Sequence, residues 1–180
     1  MNERSKLKLK KNFFKNICLN SIRIYWPISG WSKCWSSMNF AVRFHRLNFS
    51  CFDRLFKSVN ADLHKFHQKR NTLRLINNEN LVGIEYLWQV ILNGIDSVFH
   101  RAVYLIKETY TNIDGSCKQE TKNMHQAFLT DYYDRLVEIY QNRSPETINQ
   151  LIRILIVLRE YILECDHNFK KERVRLPSFR

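Results

Sequence analysis

The first places to look for chemistry in this 180-residue chain are the imidazoles, carboxylates and thiols whose spacing would bring them onto one face. His64 and His67 are three apart and could face one metal ion, with Cys51 upstream as a third ligand. A closed zinc site needs four ligands, and neither the fourth ligand nor the spacing is there, so the pair fits a basic surface better. Asp131 with Asp134, and Glu160 with Glu164, set carboxylates on one helical face, as general acid/base pairs require. Exposed helix faces produce the same pattern routinely. Cys165 with His167 would supply a thiol and a base, yet a thiolate nucleophile wants an electropositive setting such as a helix N-terminus. Cys165 instead lies near a helical C-terminal end beside Asp166. No phosphate-cradling glycine-rich loop, G-x-S-x-G or H-E-x-x-H occurs in the chain. The sequence therefore nominates no catalytic, cofactor-binding or metal-ligating residue and implies no cofactor.

The elements that must position these side chains are helical. Glycine numbers 4 and proline 3, well below the usual shares of roughly 7% and 5%, which disfavours a turn-rich sandwich of strands. Hydrophobic residues make up 44%, enough apolar surface to offset chain entropy and exclude disorder of the whole chain. The five cysteines, at 18, 34, 51, 117 and 165, are odd in number with no C-x-x-C pair. They read as reduced thiols of a cytoplasmic protein rather than a disulfide framework or a zinc site.

Net charge is +12, unevenly spread: residues 1–46 carry +9 and residues 47–180 only +3. The chain thus divides into a basic, poorly ordered arm, 1–46, and a helical repeat-like domain, 47–180. The arm, with Trp26, Trp31 and Trp35, could touch nucleic acid or anionic lipid, and is equally a solvated tail. Its Lys/Arg-rich, acid-poor start also resembles a transit peptide in composition, whereas Lys15, Asn16, Asn20 and Arg23 interrupt any secretory signal. Arg153, Arg159 and Glu160 cross the apolar run 148–163, so no membrane span is expected.

From Cys51 onward the periodicity is helical. Phe52, Leu55, Phe56 and Val59 share a face. The basic stretch 63–75, with Leu63, Phe66, Leu73 and Leu75 interleaved, reads as a helix with a positive outer side. Leu81 to Leu92 forms an apolar helix stopped by Gly94, and Asp96 is expected to cap the next, which carries Phe99, Ala102, Val103, Ile106 and Tyr110. So short a turn makes the two antiparallel. Met124, Phe128, Tyr132, Leu136 and Tyr140 follow four apart, and Ser144-Pro145-Glu146 opens a last helix over about 145–166. That helix has an apolar belt wide enough to imply burial on more than one side. Helix starts near 81 and 123, and near 96 and 145, are about 42 and 49 residues apart, bracketing the armadillo/HEAT period of roughly 40–47 residues. The expected fold is all-α: antiparallel hairpins of an armadillo/HEAT-like α-solenoid with an irregular basic N-terminal arm, leaving apolar end faces exposed.

Two blocks carry a family resemblance. The segment 80–113, with its Leu87-Trp88 helix and the Tyr110-Thr111-Asn112 signature, and the segment 157–177 resemble, in the same order and spacing, the helical region of the fat facets-type ubiquitin carboxyl-terminal hydrolases. Weaker similarity extends the cover to about 51–177. The resemblance implies a long helical-repeat platform outside the catalytic domain and just before a ubiquitin-like segment, which would begin where this sequence stops. Residues 1–46 match nothing comparable and are either a divergent insert or an artefact of the gene model. The family's thiol protease chemistry uses a cysteine in a Gly-Asn-Thr-Cys box and a later histidine, and neither motif occurs here. Implied, then, is a fragment of a deubiquitinase without its hydrolytic machinery, with ubiquitin-pathway substrates or adaptors as protein partners and nucleic acid only through the arm. A basic nucleic-acid-binding module and an independent helical scaffold stand as alternatives.

Overall fold

The structure is a computed structural model that describes residues 46–69, 72–117, 119–142 and 144–175. Residues 1–45 of the basic arm, with Trp26, Trp31 and Trp35, lie outside them. Among the described residues the chain is mostly helical: α1 (Arg46–Asp62), the strands β1 (Phe66–Lys69) and β2 (Thr72–Leu75), α2 (Ile84–Asn93), α3 (Asp96–Thr111), a 3-10 turn (Gly115–Cys117), α4 (Thr121–Gln141) and α5 (Thr147–Arg175).

Helix α1 starts earlier than its first recognised repeat. Phe49, Phe52 and Phe56 form one buried edge, their rings 5.5 and 5.9 Å apart. It ends at His64, whose φ of 56° is left-handed. The Lys65 amide donates to the Asn60 carbonyl at 2.8 Å and the His64 amide to that of Ala61 at 3.0 Å, the paired bonds that close a helix around a left-handed residue.

The basic stretch expected to be helical is an antiparallel hairpin instead, a small two-stranded sheet in a fold that among the described residues is otherwise helical and consistent with the all-α expectation. Phe66 pairs with Leu75 and His67 with Arg74, so the buried Phe66 alternates with an exposed His67, a period of two. Pairing with distant backbone decides the outcome. The Leu75 amide donates to the Asn112 carbonyl at 2.7 Å, and the Asp114 amide donates to the Leu75 carbonyl at 2.9 Å. The Tyr110-Thr111-Asn112 signature thus ends α3 and lays the following chain along β2.

Helices α2 and α3 meet across Gly94 and Ile95 and pack as a hairpin. A Cβ on Gly94 would stand 2.3 Å from the Val90 carbonyl oxygen, so glycine alone fits this close approach. Asp96 does not act as the cap of α3. The cap is Ile95, without a side-chain bond, because the Asp96 carboxylate is engaged by Arg153 at 2.6 Å. At the start of α5 it is the Thr147 hydroxyl that accepts from the Ser144 amide, at 2.7 Å.

Four helices converge on one aromatic centre. Phe128 of α4 lies 6.3 Å from Trp88 of α2, 4.6 Å from Tyr110 of α3 and 4.4 Å from Tyr161 of α5. Of the four-apart series in α4, Met124, Phe128 and Tyr132 are buried, while Tyr140 is exposed and Ile139 replaces it. A step of four residues overshoots a helical turn by about 40°, so the strict series rotates off the core. Helix α5 crosses α2, α3 and α4 and buries Ile154, Val157 and Tyr161. It is not covered on more than one side: Ile148, Ile152, Leu155, Ile162, Leu163 and Phe169 are 52–71% exposed. No helix among the described residues is long and apolar enough to cross a membrane.

Candidate functional site

The side chains singled out for chemistry are dispersed by the fold. His64 ends α1 and His67 sits on β1, where its Nδ1 lies 3.1 Å from the Asp114 carboxylate. That carboxylate is held at a pKa of about 2, first by the backbone amide and hydroxyl of Ser116 and then by His67. Among the described residues no three His, Cys, Asp or Glu side chains converge as a metal site. Asp131 accepts from the Trp88 indole at 2.9 Å and from Arg135, whereas Asp134 is exposed. Glu160 binds Arg159, and Glu164 binds Lys107 at 2.9 Å, which keeps its carboxyl below the usual range. Each carboxylate of the two pairs therefore has its own surroundings, and neither pair shares a proton site.

The thiols divide. Cys117 and Cys165 are free. Cys51 is disulfide-bonded, which departs from the reduced state expected of it. Cys165 is half-buried, whereas His167 is exposed. Its thiol is hydrogen-bonded with Tyr161, whose hydroxyl also meets His125 Nδ1. Burial pushes the Cys165 thiol up, and Glu164 adds to the rise; burial pushes the His125 imidazole down. A thiol held protonated, with the Tyr161 hydroxyl between it and a neutral imidazole, is a packing group, since nucleophilic attack requires the thiolate.

Three polar residues that hydropathy patterns do not reveal hold the helices in place. Asn60 is fully buried, and its amide nitrogen donates to the Phe56 and Val82 carbonyls at 2.8 and 3.0 Å. Its side-chain oxygen accepts from the Val82 amide at 2.9 Å, so one side chain ties α1 to the turn before α2. Arg135 binds Asp131 and Glu85 and stands over the Trp88 ring at 5.0 Å. Arg153 reaches from α5 to the α2–α3 turn: Nη1 donates to the Gly94 carbonyl at 2.6 Å and the Ile91 carbonyl at 3.1 Å, Nη2 to Asp96 at 2.6 Å. Its guanidinium also covers the Phe99 ring at 4.9 Å. Carbonyls at a helix C-terminus have no partner within the helix, and Arg153 supplies one. Read in sequence, Arg153 is only a charge interrupting an apolar run; its role depends on a turn some sixty positions away.

What the arrangement presents to solvent is the outer face of α5. Ile148, Ile152, Leu155, Ile162 and Phe169 recur at helical spacing there, with Leu163 at the edge. Concentrated apolar exposure of this kind marks a protein-contact surface more often than scattered single residues do.

No family profile matches the chain. It is similar to ubiquitin carboxyl-terminal hydrolase 9Y of Homo sapiens, 34% identical over 142 residues that cover 72% of this chain and 6% of that protein. Ubiquitin carboxyl-terminal hydrolase 9X of Mus musculus is likewise 34% identical over 142 residues with the same shares. The probable ubiquitin carboxyl-terminal hydrolase FAF of Drosophila melanogaster is 29% identical over 160 residues, again 72% of this chain and 6% of that protein. Across that stretch the chain belongs to the fat facets-type ubiquitin carboxyl-terminal hydrolases, as the counterpart of a short segment of them.

Proposed function

We propose that the chain is a non-catalytic helical scaffold of the deubiquitinase family, a piece of an armadillo/HEAT-like platform that holds ubiquitin-pathway substrates or adaptors rather than cutting ubiquitin itself. The observation that carries this reading is the pairing of a family relationship with a thiol environment unsuited to attack: Cys165 is bonded with Tyr161 and pushed up by burial. The Gly-Asn-Thr-Cys box is missing from the sequence, and the clamp of Arg153 on the α2–α3 turn suits a rigid presenting surface. In this reading residues 1–46 are a basic arm and 47–180 the helical domain. A body of only +3 does not favour nucleic acid as its partner. A cytoplasmic setting accords with the free Cys117 and Cys165; the Cys51 disulfide runs against it, and thiol titration of protein isolated from cytoplasm decides between them.

The test is a chimaera in which residues 51–175 replace the matching segment of the human 9Y hydrolase. Cleavage of a fluorogenic ubiquitin amide should proceed with kcat unchanged. A loss of kcat, with the chimaera folded and binding ubiquitin normally, would assign the segment a part in the chemistry and end the scaffold reading.

A further inference from the structure

Strand β1 has one edge in use and one open. Leu75 of β2 turns its amide to the Asn112 carbonyl at 2.7 Å and its carbonyl to the Asp114 amide at 2.9 Å, both away from β1. Phe66 stands opposite Leu75 in a pair that exchanges no bonds, so the Phe66 amide and carbonyl point the other way, off the sheet. The same alternation turns the backbone of Gln68 outward, opposite Leu73. The neighbouring pair has the complementary phase, with the Ile76 amide donating to the Lys65 carbonyl at 2.9 Å. No backbone bond from a turn, loop or helix among the described residues reaches Phe66 or Gln68. Helices α1 and α3 lie against the inner face of the sheet instead, where Lys57, Glu108 and Thr109 enclose a small pocket with Phe66, Leu73 and Leu75. What remains is a row of donors and acceptors in the plane of the sheet, on which an extended chain can add as a further strand.

The charge around this edge selects its occupant. Residues 63–75 hold Lys65, Lys69, Arg70 and Arg74 and no acid. The exposed His67 stands on the outer face opposite Arg74, and Lys65 shares that face by alternation. The Asp114 carboxylate already lies 3.1 Å from His67 Nδ1, so this face attracts acidic groups. We propose that the open edge of β1 takes an acidic extended segment of a partner protein, added antiparallel as a third strand, with Asp or Glu at every second position beside Lys65 and His67. A second copy of the chain would set its own Lys65 and His67 against these, and like charges directly opposed disfavour that pairing. The rest of this chain is equally unsuited, since residues 1–45 hold a single acid, Glu3, and residues 176–180 hold none. Between its acids the segment carries β-branched residues, which suit a strand. So short an edge gives a modest affinity, with a dissociation constant on the order of 10–100 µM.

The proposal rests on the scaffold reading for the existence of a partner protein, whereas its test reads peptide binding without ubiquitin cleavage, so the failure of either is seen separately. The full chain is titrated at about 0.15 M salt into a fluorescein-labelled octapeptide of alternating Glu and Val, and anisotropy is followed. Two further peptides have the same charge: one N-methylated at its valines, whose amides would face Phe66 and Gln68, and one N-methylated at its glutamates, whose amides would face solvent. The glutamate-methylated peptide should bind within about threefold of the parent peptide, and the valine-methylated one at least about tenfold more weakly. Gln68→Pro removes an outward amide and no bond of the hairpin, and should weaken binding by about tenfold or more; Lys65→Glu should weaken it by about fivefold. Attraction to charge alone, whether of the hairpin or of the basic arm, does not distinguish the two methylated peptides, so equal binding of both would overturn the proposal. No binding up to about 500 µM would also overturn it and make the lysines a guard against edge pairing. Unaltered binding by Lys65→Glu, or displacement of the peptide by an equal concentration of oligothymidylate, would overturn the choice of an acidic protein segment. Matching circular dichroism confirms that the variants fold, and the methylated peptides decide the question on the unaltered chain.

Discussion

Replacing Arg153 by alanine removes one side chain that serves three acceptors and a ring, and the loss can be worked from the geometry. Two of its bonds run from a charged donor to backbone carbonyls, at 2.6 and 3.1 Å, and such bonds are worth about 1.5–3 kcal/mol each. The site is only half-buried, so returning water brings the pair to about 3 kcal/mol in total. Covering the Phe99 ring adds about 0.5–1 kcal/mol. The Asp96 pair adds little, because that carboxylate is 92% exposed. Arg153→Ala should therefore cost about 3–4 kcal/mol, a fall in Tm of about 10 °C for a chain of this size. Arg153→Lys, which keeps the charge but not the planar fork, should lose about half as much, and Asp96→Ala less than about 1 kcal/mol. Urea denaturation of the full chain followed at 222 nm measures all three. An Asp96→Ala cost equal to that of Arg153→Ala would show that an ordinary surface ion pair, and not the carbonyl clamp, carries the effect. No cost from Arg153→Ala would refute the clamp altogether.

Trp88→Ala opens the junction of four helices and should cost about 3–5 kcal/mol in the same assay, against well under half of that for Tyr140→Ala on the exposed side of α4. Asn60→Ala strands the Val82 amide and carbonyl and should cost about 2–4 kcal/mol; amide exchange at Val82 should accelerate with it, and an unchanged rate would contradict the bridge. His125 has its imidazole lowered by burial, so folded and unfolded chains are both neutral there above the unfolded value of about 6.5. As the pH falls through that value the unfolded chain takes up a proton that the folded one resists, and stability declines. His125→Gln should flatten the stability profile between about pH 7 and 5; an unaltered slope would place the effect elsewhere.

Local pattern made much of the helical framework legible. The stripe Phe99, Ala102, Val103, Ile106 and Tyr110 is buried as its spacing implies, and Gly94 ends α2 where an added Cβ would strike a carbonyl. The hairpin was not legible because Phe66 and Leu73 also share a helical face, and the deciding bonds come from Asn112 and Asp114, far along the chain. Asp96 has the residue type of a cap, but the reach of Arg153 from α5 sets its role. The apolar width of α5 was visible, yet hydropathy does not say whether a second side is covered by this chain or by another. The family resemblance was readable from two blocks, and the fold brings them together: Trp88 and Tyr110 of the first and Tyr161 of the second all pack on Phe128.

The proposal that this segment scaffolds rather than cuts is tested by incubating the reduced full chain with ubiquitin bearing a thiol-reactive C-terminus and measuring intact mass. No adduct should form on any cysteine. An adduct of one ubiquitin that forms on the native chain and disappears in Cys165→Ala or Cys117→Ala would contradict it.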